Sequence, residues 1–138
     1  MTESFLIDTH AWYWFQDGTK GKLRPTGIAL IEDALRKRSI YLSVISIWEL
    51  AMQDSRGKIA FKHFPGWVEL ATGPAAFQVV PISPEVAIAA TRLPGELHRD
   101  PADRFLAATA RVENMTLLTQ DKQLLAYARQ GHLRAKRI

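Results

Sequence analysis

Apolar and polar positions fall into blocks along the chain, and the blocks switch between short apolar runs and helical spacing. "SFLID", from Ser4 to Asp8, is an apolar run that stops on an acid and predicts a short buried strand. "THAWYWFQDG" is apolar and aromatic and predicts a short helix ending at Gly18. In "LRPTGIALIEDALRKR", Pro25 suits a first turn and Ile28, Ile31 and Leu35 recur at helical spacing. Arg36, Lys37 and Arg38 close that helix, where cations suit the dipole. "IYLS" predicts a second strand, and "VISIWELAMQDSRG" a third helix stopped by Gly57. "FPGWVELATG" predicts a fourth, bounded by Pro65 and Gly73.

The second half repeats the alternation. "FQVVPI" predicts a third strand, and "SPEVAIAATRL" a helix with Ser83 as N-cap and Pro84 in the first turn. The loop "PGELHR" leads into "DPADRFLAATARVEN", a helix that ends at Asn114. "TLLTQD" predicts a fourth strand ending on Asp121, and "KQLLAYARQG" a last helix. "LRAKRI" reads as either a short edge strand or a loose basic arm. Strands alternating with helices predict an α/β fold, an α/β/α sandwich around a mainly parallel sheet. No repeat or linker divides the chain, so one domain over 1–138 is expected.

Composition narrows the classes. The 138 residues are 47% hydrophobic and 23% charged, enough to bury a core. Cysteine is absent, which excludes disulfides, zinc ribbons and thiol catalysis and fits a reducing cytoplasm. No signal-peptide pattern opens the chain, and no apolar run approaches the roughly 18 residues of a membrane span. A cytoplasmic protein without a membrane partner is expected. The net charge of +4 favours an anionic partner, and basic residues cluster in "KGKLR", "RKR" and "RQGHLRAKRI".

The acids carry more information. In parallel α/β sheets, functional groups gather at the carboxyl ends of the strands. Asp8 closes strand one and Asp121 closes strand four. The helix with Asp100 and Asp103 in its first turn runs back just before strand four, which puts that turn near the same edge. Glu49 follows strand two in a helix whose neighbours Ile45, Ile47, Trp48, Leu50 and Met52 are apolar all round. That pattern predicts a helix buried on most sides, where an ionised Glu needs a partner or a cation.

Each acid also has a structural reading. Asp8 and Asp121 suit the N-caps of the helices that follow, Asp100 suits an N-cap before Pro101, and Asp103 suits the acid of a capping box. Glu49 suits an ion pair with Arg104 or Arg111. One metal site covers all four of Asp8, Glu49, Asp103 and Asp121. Clustered carboxylates repel until one holds a proton or a cation binds. Oxygen donors suit magnesium or manganese, and the lack of cysteine and of an H-x-x-H pair argues against zinc.

In this order the acids resemble those of PIN-domain ribonucleases, and more narrowly the VapC toxins of type II toxin–antitoxin systems. "LIDTHAWYWF", "SVISIWELAM", "LHRDPADRFLAATA" and "LLTQD" carry the resemblance over almost the whole chain. It implies Asp8, Glu49, Asp103 and Asp121 as an acidic quartet holding Mg2+ or Mn2+, and hydrolysis of RNA to 5′-phosphate and 3′-hydroxyl ends. It implies Asp100 as a secondary ligand or cap, and Thr9 and Thr119 as hydroxyls that orient carboxylates or bind metal water. It also implies a homodimer silenced by a cognate VapB-like antitoxin. Arg99 and Arg104 suit contacts to phosphate or to the acids, and His98 a substrate or structural contact rather than a base. Trp12, Trp14, Trp48 and Trp67 suit core or interface positions.

Three alternatives stay open: a PIN nuclease of RNA processing, a non-catalytic PIN-like module that binds RNA or protein, and a phosphatase. A haloacid-dehalogenase-type phosphatase needs D-x-D after strand one, and "IDTH" has His10 at the second position.

Overall fold

The structure is a computed structural model that describes residues 2–138. Its elements are β1 (Phe5–Ile7), α1 (Thr9–Asp17), α2 (Pro25–Arg36), β2 (Ile40–Ser43), α3 (Val44–Ser55) and α4 (Phe64–Ala71). They continue with β3 (Gln78–Val80), α5 (Pro84–Ala90), α6 (Pro101–Val112), β4 (Thr116–Thr119), α7 (Lys122–Arg129) and β5 (Ala135–Arg137). The five strands pair in the order β3-β2-β1-β4-β5, and every pairing is parallel.

The strand runs were read a residue or more too long. Asp8 and Asp121 are the N-caps of the helices that follow, their side chains accepting N–H groups of the first turn. "LRAKRI" resolves as an edge strand: β5 pairs with β4 through Leu117 and Ala135.

β1 is buried throughout because both faces of the central sheet are covered. Successive side chains point to opposite faces. Phe5 and Ile7 therefore join Ile40, Leu42 and Leu118 beneath α1, α2 and α4. Leu6 faces the other way and packs with Leu117, Leu106, Leu124 and Tyr127 beneath α6 and α7. Trp12 is fully buried in the first layer and its ring meets Trp67 at 5.0 Å.

α3 corrects an expectation. It is not buried on most sides. Only Ser46 and Leu50 are buried, and Trp48 is 51% exposed. Packed against α1, α4, α6 and β2, most of its other residues are half-buried, and the open side falls at Trp48.

Strand order reverses at β1: β2 and β3 lie on one side, β4 and β5 on the other. The crevice at such a switch point, outside the carboxyl ends of the strands, is where open α/β sheets place ligands. It falls between β1 and β4.

Candidate active site

Asp8 stands at this switch point. Its N–H donates to the Leu118 carbonyl at 2.9 Å, which extends the β1–β4 ladder by one bond. Its carboxylate is buried and fully engaged. One oxygen accepts the Thr9 N–H at 2.7 Å, and the other accepts the Thr119 hydroxyl at 2.7 Å. The Thr119 hydroxyl in turn accepts the Asp121 N–H at 2.9 Å. One buried side chain thus aims Asp8 and fixes the backbone of Asp121. Asp121 then caps α7, one oxygen accepting the N–H groups of Gln123 and Leu124, both at 2.9 Å.

Across the crevice, Asp100 caps α6 by accepting from Ala102 at 2.9 Å and Asp103 at 3.3 Å. Pro101 takes the first helical position. Among the described residues, no bond from the Asp103 carboxylate to the Asp100 N–H completes a capping box. The Asp103 carboxylate faces His98, whose Nε2 lies 3.0 Å from Oδ2. The contact lacks hydrogen-bond alignment, so this buried nitrogen has no aligned partner. Ligand atoms of His98, Asp103 and Asp121 lie within 4.8 Å of one another.

The electrostatics bind the remaining acids to this group. The Asp103 carboxyl is pushed up to about 8, first by burial, then by the charges of Asp8, Asp100, Asp121 and Glu49, in that order. Burial also raises Asp8, against the lowering effects of its Thr119 bond, His10 and the Thr9 N–H. Glu49 has no ion-pair partner among the described residues, so the proposed pairing with Arg104 or Arg111 is not made.

Two secondary assignments need correction. The Thr9 hydroxyl does not reach a carboxylate. It donates to the Ser46 hydroxyl at 2.8 Å, and only its N–H orients Asp8. Ser46 lies three residues before Glu49 on α3, so this bond ties the start of α1 to the helix that carries Glu49. Arg104 makes no ion pair with the acids among the described residues. Its guanidinium donates to the carbonyls of Ala90 at 3.0 Å and Leu97 at 3.1 Å, pinning the loop that carries His98.

Ser46 is the group that residue types alone did not bring into the site, and its spacing to Glu49, one helical turn, was the available signal. His98, expected as a substrate or structural contact, lies against Asp103.

Four carboxylates with a buried imidazole nitrogen offer mainly hard oxygen donors, a set that suits a divalent cation bound through oxygen. Thr119 is the orienting group for two of them. The Thr119→Val variant leaves the Asp121 N–H unpaired and removes a bond to Asp8. We expect a loss of about 1–3 kcal/mol in urea unfolding and a weakening of Mn2+ binding by about 10- to 100-fold in titration calorimetry. Unchanged Mn2+ affinity would show that Thr119 only holds the fold.

Fold and site together define a doubly wound parallel α/β protein with a carboxylate cluster at its switch point. The model of the PIN domain matches residues 5–130, and the chain belongs to the PIN domain family. It is 31% identical over 124 residues to Ribonuclease VapC22 of Mycobacterium tuberculosis, covering 88% of this chain and 90% of that protein. Solved structures with the same fold include VapBC2 from Rickettsia felis bound to a promoter DNA fragment, with a TM-score of 0.70 at 18% identity. That match covers 96% of this chain and 97% of the other. DNA-bound VapBC from Salmonella typhimurium gives 0.69 at 17% identity, covering 99% and 98%.

Proposed function

We propose that the chain is a divalent-metal-dependent endoribonuclease and the toxin of a VapBC-type pair, acting in the cytoplasm as one domain over 1–138. The cluster of Asp103, Asp121 and His98, whose ligand atoms lie within 4.8 Å of one another beside the buried Asp8, carries this reading. The ribonuclease name of the 31% identical relative and the toxin–antitoxin complexes with the same fold support it.

Asp8, Glu49, Asp103 and Asp121 would hold magnesium or manganese, with Asp100 as the cap that fixes the first turn of α6. When bound, the cation supplies Lewis acidity toward a phosphodiester and acidifies water. The chain's own residues do the rest. Thr119 and the Thr9 N–H hold the Asp8 carboxylate in one orientation before any ligand arrives. Ser46 keeps α3 against α1. Exposed basic residues attract the RNA backbone without reading its sequence, so binding weakens with salt. A homodimer and a VapB-like antitoxin that covers the acids complete the reading. The exposed Trp48 face of α3 suits a protein contact.

The test is cleavage of a labelled RNA pool in magnesium, in manganese and in EDTA. Cleavage that needs the cation is the expected result, and cleavage unchanged by chelation would sink the reading. Expression of the gene alone, with soluble protein verified, separates toxin from processing nuclease. Growth arrest is expected of a toxin, and a harmless active nuclease would favour RNA processing.

A further inference from the structure

A cleft of about 770 Å³ opens beside the acids, between the loop at residues 95–99 and the outer face of α7. Its size is that of pockets that enclose small ligands. We propose that it holds the bases of single-stranded RNA next to the bond that is cut, and that Gln123, Gln130 and Glu96 read their edges. This rests on the nuclease reading above.

Continuity with the site is the first argument. His98 lines the cleft and also lies 3.0 Å from Asp103, so the cleft begins where the acid cluster ends. The α7 wall starts one residue after Asp121. A strand with a phosphate at the acids therefore has its neighbouring nucleotide at this opening.

The walls are built before any ligand binds. Arg104 holds the carbonyls of Ala90 and Leu97, and the Tyr127 hydroxyl donates to the Pro94 carbonyl. Gly95 adopts φ +64, and a Cβ there would stand 2.5 Å from His132 Nε2, so the loop is seated closely on the helix end.

Unspent polar groups give the third argument. Gln123 on α7 and Gln130 at its C-cap are seven residues apart, about 10 Å along the helix. Both are exposed and their side-chain amides make no hydrogen bond among the described residues, which leaves them open to a ligand. Each free amide carries a donor and an acceptor, the pairing that recognises base edges.

Arg99, Arg104 and Glu96 line the cleft, so its charge is mixed. Glu96 can accept from a base amino group, a contact that a phosphate cannot make. Bases are free to enter such a cleft only when unpaired.

The experiment compares single-stranded RNA oligonucleotides that differ only at the nucleotides flanking the cut. Wild type and the Gln123→Ala, Gln130→Ala and Glu96→Gln variants are assayed in Mg2+, with melting temperatures as a folding check. The expected result is a wild-type ratio of preferred to disfavoured RNA that falls by about tenfold in at least one variant. A ratio unchanged in all three, even with slower cleavage throughout, overturns the inference and leaves the nuclease reading intact. A wild type without any preference does the same. A wild type that cuts no RNA overturns both.

Discussion

The Asp103→Asn variant loses RNA cleavage, on the order of a thousandfold, while it stays folded. The size follows from removing one donor of a cation that contributes several kcal/mol to phosphoryl chemistry. Asp8→Asn has an effect of the same order, because Asp8 is buried at the switch point and already aimed by two hydrogen bonds. Steady-state cleavage of a labelled RNA measures both. Activity retained in both variants would remove the acid cluster from the mechanism. Stability separates a ligand from a cap. Asp103 makes no capping-box bond, and burial, followed by the like charges around it, raises its carboxyl to about 8. The metal-free Asp103→Asn protein therefore melts at or above the wild-type temperature at pH 7. A marked loss would mean that the acid serves the helix start, where a first-turn carboxylate is favourable.

Without a divalent cation, the wild-type fold loses stability as pH rises from about 4 to about 8. The sign is opposite to that of a salt-bridged aspartate. The Asp103 carboxyl is raised from 3.8 in the fold, so the folded state binds more protons than the unfolded chain across this window. Stability falls with pH wherever the folded state binds more protons. The contribution is present in full below about pH 4 and is gone above about pH 8. Screening at a carboxyl that keeps 15% side-chain exposure brings the expected loss to about 2 kcal/mol. Urea midpoints at successive pH values in EDTA measure it as the difference between wild type and Asp103→Asn, which cancels the titrating groups remote from the acid cluster. Magnesium or manganese reverses the trend, because deprotonated ligands bind the cation more tightly as pH rises. Equal pH profiles for the two proteins in EDTA would show that Asp103 is not crowded by its neighbours.

The helix starts were legible in the sequence. Asp100 before Pro101 and Ser83 before Pro84 announced two helix starts, and both are observed. Asp8 and Asp121 illustrate the limit of that reading. Capping and metal binding were competing explanations, yet both residues cap helices and both line the crevice. A cap fixes the backbone at the place where the carboxylate is needed, so the two roles reinforce each other. Trp48 and Arg104 show what residue type conceals. An apolar helix and a basic neighbour of Asp103 pointed to burial and to charge neutralisation. Consecutive helical residues lie about 100° apart, so Arg104 leaves α6 in another direction from Asp103 and meets the loop instead.

The sequence by itself determined the alternation of strands and helices, the helix starts and four acids destined for one edge of a parallel sheet. These follow from periodicity and local capping, which act over a few residues. The tertiary structure decided which groups meet there. Thr119 reaches Asp8 across 111 positions, Thr9 reaches Ser46 across 37, and Arg104 and Tyr127 set where His98 lies. Those contacts depend on how separate layers pack on the sheet, and burial, with the charges around it, then raises the Asp103 carboxyl.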